Sequence, residues 1–334
     1  MDTKQLAARV CAGERRAVAQ AITLVESTRV DHRDAAAALL EILAPHAGGA
    51  MRIGISGVPG VGKSTFVEAL GNHIIDSAGR RVAVLAVDPS STISGGSILG
   101  DKTRMERLSA RGEAFIRPSP TRGTLGGVAR RTREALVVCE AAGFDVVLIE
   151  TVGVGQSETA VSDMTDLFVL LLLPGGGDDL QGIKRGIIEL ADIILVNKAD
   201  GDLLPAAQRI AADYRHALTL LQPRSAGWTV PVATCSALTG ERIDAAWELI
   251  EAYWAAHTAT GQIAAWRTLQ GRTWFWHETA EHLLAALKND PACAARIADL
   301  EAAVADGALP PTLAAQRLVA GFLADARTPR SEED

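Results

Sequence analysis

Ile53-Gly54-Ile55-Ser56-Gly57-Val58-Pro59-Gly60-Val61-Gly62-Lys63-Ser64-Thr65 sets the fold class of this 334-residue chain. A short apolar run ends at a glycine, four residues intervene, and Gly-Lys-Ser opens a helical stretch. This is G-x-x-x-x-G-K-[ST] in a strand–loop–helix setting. Glycines let backbone N–H groups converge on phosphate oxygens, and the start of a helix adds its partial positive charge. Gly57, Val58, Pro59, Gly60, Val61 and Gly62 are therefore expected to cradle the phosphates of a nucleotide. Lys63 is expected to reach the β- and γ-phosphates, Ser64 to ligate Mg²⁺, and Thr65 to support the α-phosphate.

Outward from this loop, short apolar runs alternate with helical segments. The runs are residues 51–56, 82–87, 144–149, 167–173, 193–196 and 230–234. Lacking polar alternation, they suit parallel strands covered on both faces, with helices as right-handed crossovers. The expectation is a doubly wound α/β domain with a mainly parallel sheet, its ligands at the carboxyl ends of the strands. Residues 1–46 read as an N-terminal helical extension, residues 47–255 as the nucleotide domain and residues 256–334 as a C-terminal helical arm. In the extension, Leu6, Val10, Val18, Ile22 and Val25 recur at helical intervals, and Asp31-His32-Arg33-Asp34 is expected to separate them from a second helix through Leu43. The arm carries Trp266, Trp274, Phe275 and Trp276, which read either as an oligomer contact or as packing on the domain.

A second motif names the base. Asn197-Lys198-Ala199-Asp200 ends the run Ile193-Ile194-Leu195-Val196. A carboxylate there can accept two hydrogen bonds, from N1–H and the exocyclic amine of guanine. Adenine lacks that donor pair, and a buried carboxylate left unpaired is costly. Asn197 is expected to tie this loop to the phosphate loop, and the stem of Lys198 to cover one face of the base. Ser236-Ala237-Leu238 follows another run and offers a backbone N–H to guanine O6. Either loop alone reads as an ordinary turn; in this order after a phosphate loop they select GTP over ATP.

Three acids stand at strand ends or just beyond them. Asp88 ends Val84-Leu85-Ala86-Val87, Asp101 lies in Leu99-Gly100-Asp101-Lys102-Thr103-Arg104-Met105, and Glu150 ends Val146-Val147-Leu148-Ile149. A Mg²⁺ held by Ser64 and two phosphates needs further oxygen ligands, and these carboxylates can supply them. Asp88 and Asp101 also read as capping or solvated turn acids. Small GTPases have Asp where Glu150 stands, so the chain departs from that class. Gly153 lies where a backbone N–H could sense the γ-phosphate. Two glycine-rich stretches, residues 118–128 and 175–184, read as loops able to switch between backbone states. Arg130, Arg131 and Arg133 behind the first read either as a solvated helix face or as a basic patch.

The bulk numbers exclude other classes. A net charge of -7 and 4% aromatic residues argue against nucleic-acid binding. The four cysteines, Cys11, Cys139, Cys235 and Cys293, are too scattered for a metal site and read as buried hydrophobes in a reducing compartment. No segment reads as a signal peptide or a membrane span, so a cytoplasmic location is expected.

With these stretches in view, the chain resembles the ArgK/MeaB family of methylmalonyl-CoA mutase-associated GTPases, of the SIMIBI class of P-loop GTPases. The resemblance rests on residues 57–65, 99–105, 117–134, 150–158 and 179–184. It implies slow GTP hydrolysis to GDP, with Ser64, Asp88, Asp101 and Glu150 as the magnesium shell, Lys63 and Glu150 as catalytic groups, and Gln181 and the catalytic candidate Lys184 in a mobile switch. It implies a homodimer held partly by the C-terminal arm. It also implies a chaperone that gates cofactor delivery to, and protects, adenosylcobalamin-dependent methylmalonyl-CoA mutase. The alternative is a nucleotide-dependent kinase linked to basic amino-acid transport. A metallochaperone of the nickel-insertion kind would need clustered Cys and His ligands, which this chain does not show.

Overall fold

The computed structural model describes residues 2–27, 29–87, 105–118, 125–151, 157–175, 185–219, 225 and 227–327. Contacts divide the chain into two compact units, Met1–Trp266 and Arg267–Asp334.

In the first unit, seven strands form one sheet: β1 (Met51–Gly57), β2 (Val82–Val87), β3 (Ala114–Arg117), β4 (Val146–Thr151), β5 (Leu167–Leu172), β6 (Ile193–Val196) and β7 (Val232–Thr234). The order is β3-β2-β4-β1-β5-β6-β7, and every pair is parallel. β1, β2, β4, β5 and β6 are buried on both faces, as their apolar character requires. Leu167, Val169 and Leu171 of β5 join a core with Phe66, Leu70, Trp247 and Ile250, while Leu170 and Leu172 face the other way toward Ala207, Ala211 and Tyr214. The period-2 alternation of a strand thus splits one apolar run between two cores.

The six expected strands are present, with ends shifted by one or two residues where they shift at all. β3 was not expected: it is a four-residue edge strand, too short to give a pattern. The N-terminal stretch also differs from the reading. It forms α1 (Thr3–Cys11), α2 (Arg15–Val25) and α3 (Val30–Leu43). Asp2 caps α1, accepting from the N–H groups of Lys4 at 3.0 Å and Gln5 at 3.2 Å. The break falls at Gly13, whose φ of +74° suits a residue without Cβ. Asp31-His32-Arg33-Asp34 lies inside α3 rather than before a helix. Asp31 sits in the first turn, where a negative charge favours the helix, and Arg29 grips it with two hydrogen bonds of 2.9 and 2.6 Å.

Helices between successive strands are α4 (Lys63–Ala78), α5 (Glu106–Ser109), α6 (Leu125–Ala141), α7 (Ser157–Ser162), α8 (Arg185–Leu190) and α9 (Leu204–Leu218), and α10 (Ile243–Ala259) follows the last strand. α2 packs on α6, and Arg117 at the end of β3 pairs with Glu26 just after α2. Burial raises the Glu26 pKa, and the hydrogen bond and charge of Arg117 pull it back. In the second unit, α11 (Gln262–Asn289) continues from the first, followed by α12 (Pro291–Ala305) and α13 (Pro311–Arg327). Asp290 caps α12 by accepting from Ala292 N–H at 3.0 Å, and Pro291 takes the first helical position, where no donor is needed.

The end of β1 remote from the phosphate loop is locked by a buried ion pair. Arg52 donates through Nε and Nη2 to Glu140 at 2.8 and 2.9 Å, with side chains 10% and 0% exposed, and Glu140 also accepts Gly48 N–H at 2.8 Å. Removing one partner strands the other charge in the interior. Glu140→Ala is therefore expected to cost about 3–5 kcal/mol in urea denaturation, and Arg52→Met with Glu140→Leu clearly less.

Candidate functional site

The carboxyl ends of β1, β4, β6 and β7 converge on one region. β1 delivers the phosphate loop from the middle of the sheet, between β4 and β5. Gly57 pairs with Leu171, and a Cβ on Gly57 would lie 2.5 Å from the Leu171 carbonyl oxygen, so only glycine fits. Gly62 has φ of +91°, and a Cβ there would meet Asn197 Nδ2 at 2.9 Å. The helix α4 starts at once, with Phe66 N–H donating to Gly62 O at 2.9 Å. Gly60, with φ of +79°, completes a turn that side chains would strain.

Lys63 is buried. Its Nζ donates to the carbonyls of Gly57 at 2.7 Å and Val58 at 3.3 Å. Burial lowers its pKa, and the charges of Glu150 and Glu158 oppose that shift. Ser64 Oγ donates to Glu150 Oε1 at 2.8 Å. Register places Glu150 opposite Ile55 on one side and Ala86 on the other. The Ser64 hydroxyl at the start of α4 and the Glu150 carboxylate in β4 are hard oxygen donors brought together, which suits Mg²⁺. Thr151 donates to Ser56 Oγ at 2.9 Å, closing the layer beneath. Thr65 is exposed.

Asn197 joins three loops. Its Nδ2 donates to Val61 O at 2.8 Å, and its Oδ1 accepts Ala237 N–H at 3.0 Å and the Cys235 thiol at 3.8 Å. Lys198 follows with φ of +57° and an exposed side chain. Ser236 Oγ donates to Asp200 Oδ2 and accepts Thr239 N–H at 3.2 Å. Leu238 is 81% exposed. Burial pushes the Cys235 thiol up to about 12, so it stays protonated. Cys139 and Cys293 are also buried, while Cys11 is exposed, unlike the reading that buried all four.

The structure thus brings together the phosphate loop, Lys63, Ser64 and Glu150, and groups Asn197, Asp200, Ser236 and Ala237, with Asn197 linking the two sets through Val61. Asp88, Asp101, Gly153, Gln181 and Lys184 lie outside the described residues. Among the described residues no group of three or more His, Cys, Asp or Glu side chains is poised for a metal. Sequence reading assigned no role to Glu158, a buried acid whose charge acts on Lys63. Its place in α7, just after the Gly153-Val154-Gly155 stretch, was the available signal.

Comparison with known proteins fixes the lineage. Residues 18–292 match the family described as methylmalonyl Co-A mutase-associated GTPase MeaB. The chain belongs to the MeaB family. A putative GTPase of Caulobacter vibrioides is 58% identical over 96% of this chain and 98% of its own length. The mitochondrial methylmalonic aciduria type A homolog of Mus musculus is 50% identical over 93% of this chain and 77% of its own. GTPase ArgK of Escherichia coli K12 is 49% identical over 81% of this chain and 82% of its own. A solved structure of an LAO/AO transport system kinase superposes with a TM-score of 0.76 and 37% identity, covering 96% of this chain and 97% of that one. As a MeaB-family member the chain is a GTP-hydrolysing enzyme with an α/β P-loop fold. No helix among the described residues is long and apolar enough to cross a membrane.

The geometry makes Asp200 the test of base selection. Asp200→Asn is expected to weaken GTP binding by about 2–4 kcal/mol and xanthosine triphosphate binding much less, because xanthine presents an acceptor where guanine has its amine. Competition titration against a fluorescent nucleotide measures both.

Proposed function

We propose that this chain is a GTP-dependent chaperone of an adenosylcobalamin-dependent methylmalonyl-CoA mutase, gating cofactor delivery and protecting the mutase. The observation that carries the reading is the family match over residues 18–292, together with 50% identity to a methylmalonic aciduria type A homolog. In this reading the backbone N–H groups of residues 57–62 and the start of α4 hold the phosphates. Lys63 places its ammonium at the β,γ-bridge, where charge develops as the terminal phosphate leaves. Ser64 and Glu150 hold Mg²⁺, joined by Asp88 and Asp101. A bound Mg²⁺ would supply charge neutralisation at the β- and γ-oxygens. Lys184 and Gln181 belong to a switch that reports the γ-phosphate to the partner, and Lys184 stands as a catalytic candidate through that switch. Asn197, Lys198 and Asp200, with Ser236, Ala237 and Leu238, hold guanine. The location proposed is the cytoplasm, with no nucleic-acid partner.

The second reading, a nucleotide-dependent kinase linked to basic amino-acid transport, is favoured by the 37% identity to an LAO/AO transport system kinase. A kinase would transfer the γ-phosphate to an acceptor rather than to water. Terminally labelled GTP distinguishes the two: the chaperone reading expects label in free phosphate and none in protein.

A homodimer through the helical arm is part of the proposal. Phe275 and Trp276 are 63% and 68% exposed, and Leu283 and Leu284 are exposed further along α11. Such apolar surface on one helix is more than a monomer usually leaves in water. Trp276→Asp is expected to shift a sedimenting dimer toward monomer while GTP binding is retained.

The partner claim makes a demand of its own. If the mutase prefers one nucleotide state, that nucleotide must tighten the complex by the same factor. Titrating mutase into labelled protein with GDP, with a non-hydrolysable GTP analogue and without nucleotide is expected to give distinct affinities, and the mutase to raise GTP turnover. Three superimposable curves with unchanged turnover would remove the chaperone role and leave the GTPase.

A further inference from the structure

Two residues other than glycine have positive φ among the described residues, Lys198 at +57° and Arg242 at +59°. Both flank the proposed base pocket. A Cβ makes the left-handed region unfavourable, so a long side chain that stays there is held by its surroundings. The Arg242 surroundings are specific. Its Nη2 donates to the carbonyl of Ala199 at 2.8 Å, and its Nε donates to the carbonyl of Thr234 at 3.1 Å. Thr234 is the last residue of β7, and Ala199 immediately precedes Asp200.

The ladder between β6 and β7 explains why such a clamp is needed. Past the strands it continues through Cys235 N–H to Val196 O at 2.9 Å and Ala199 N–H to Cys235 O at 3.0 Å. Between these two bonds the chain turns at Lys198, at φ of +57°. The carbonyl of Ala199 belongs to the peptide that carries Asp200, and Arg242 is the side chain that donates to it. A guanidinium is suited to this task, since its planar fork holds two acceptors at a fixed spacing and stays charged. Arg242 itself is placed by its own loop: Ser236 N–H donates to Glu241 O at 2.9 Å, and Ala246 N–H donates to Arg242 O at 3.1 Å at the start of α10.

We propose that Arg242 is a positioning residue for guanine selection: by bridging the carbonyls of Thr234 and Ala199, it fixes the peptide that aims the Asp200 carboxylate. The inference rests on the assignment of Asp200 to the base. It adds a residue from outside the Asn197–Asp200 and Ser236–Leu238 motifs, acting on backbone rather than on nucleotide.

Arg242→Gly is the informative variant, because glycine accepts the left-handed backbone and removes only the clamp. Competition titration with GDP and inosine diphosphate, which lacks the exocyclic amine, reads the aim of Asp200 directly. GDP affinity is expected to fall about tenfold and inosine diphosphate affinity much less, so that the preference for GDP narrows, with thermal stability maintained. KM for GTP is expected to rise far more than kcat changes, and Arg242→Lys, which can reach one carbonyl, to recover part of the preference. An unchanged GDP preference in Arg242→Gly, or an equal loss of both nucleotides, overturns the proposal. Asp200→Asn in the same assay separates the two levels. If it narrows the preference while Arg242→Gly does not, the clamp alone is wrong. If neither does, the base assignment falls and takes the clamp with it.

Discussion

The carboxamide of Asn197 ties the phosphate loop to both loops that follow β6 and β7. One end donates to Val61 in the phosphate loop, and the other accepts from Ala237 beyond β7. Only this orientation of the amide satisfies both partners, a carbonyl and an N–H, so the side chain has one usable pose. Asn197 is itself pinned where β6 ends, its N–H donating to Leu172 O at 2.9 Å. Phosphate loop and base loops are thereby held at a fixed distance by a rigid planar group. A nucleotide spans just such a distance, from its phosphates to its base.

The same economy appears at the phosphate end. Ser64 and Glu150 come from α4 and β4, elements separated by most of the first half of the domain, and the parallel register brings them to 2.8 Å. Lys63 is accepted by two backbone carbonyls while two buried or nearly buried acids favour its charge. The chemistry therefore rests on the sheet's register. The opposite end of β1 is fixed by Arg52 and Glu140, so the central strand is anchored at both ends.

Much of this was readable from sequence, for a physical reason. Strands buried on both faces must be apolar throughout, so β1, β2, β4, β5 and β6 announced themselves, and glycine-rich motifs at their ends located the site. β3 escaped because four residues ending in Arg117 carry no period. The N-terminal break at Gly13 was missed because alanine-rich sequence on both sides keeps a helical pattern across it, and the acids of α3 looked like a linker though they favour a helix start. Arg242 was beyond reach for another reason. Its partners lie on other elements, and no local pattern records a contact between Arg242 and a carbonyl of Ala199. Family membership, carried by motif order, was legible as well. Asp88, Asp101, Gln181 and Lys184 fall outside the described residues.

The two glycines that bracket the phosphate loop constrain future variation of the chain in different ways. Beside Gly57 stands the carbonyl of Leu171 in a central strand, which cannot retreat without unpairing the sheet. That position is closed to every other residue. Beside Gly62 stands the end of a side chain, the Asn197 amide. A larger residue at 62 would need Asn197 to withdraw and so to release Val61, which couples the two positions although 135 residues separate them (197 less 62). One glycine is therefore fixed by a neighbouring strand, while the other is held both by its own backbone, at φ of +91°, and by a distant asparagine. The phosphate loop cannot drift independently of the loop proposed to read the base.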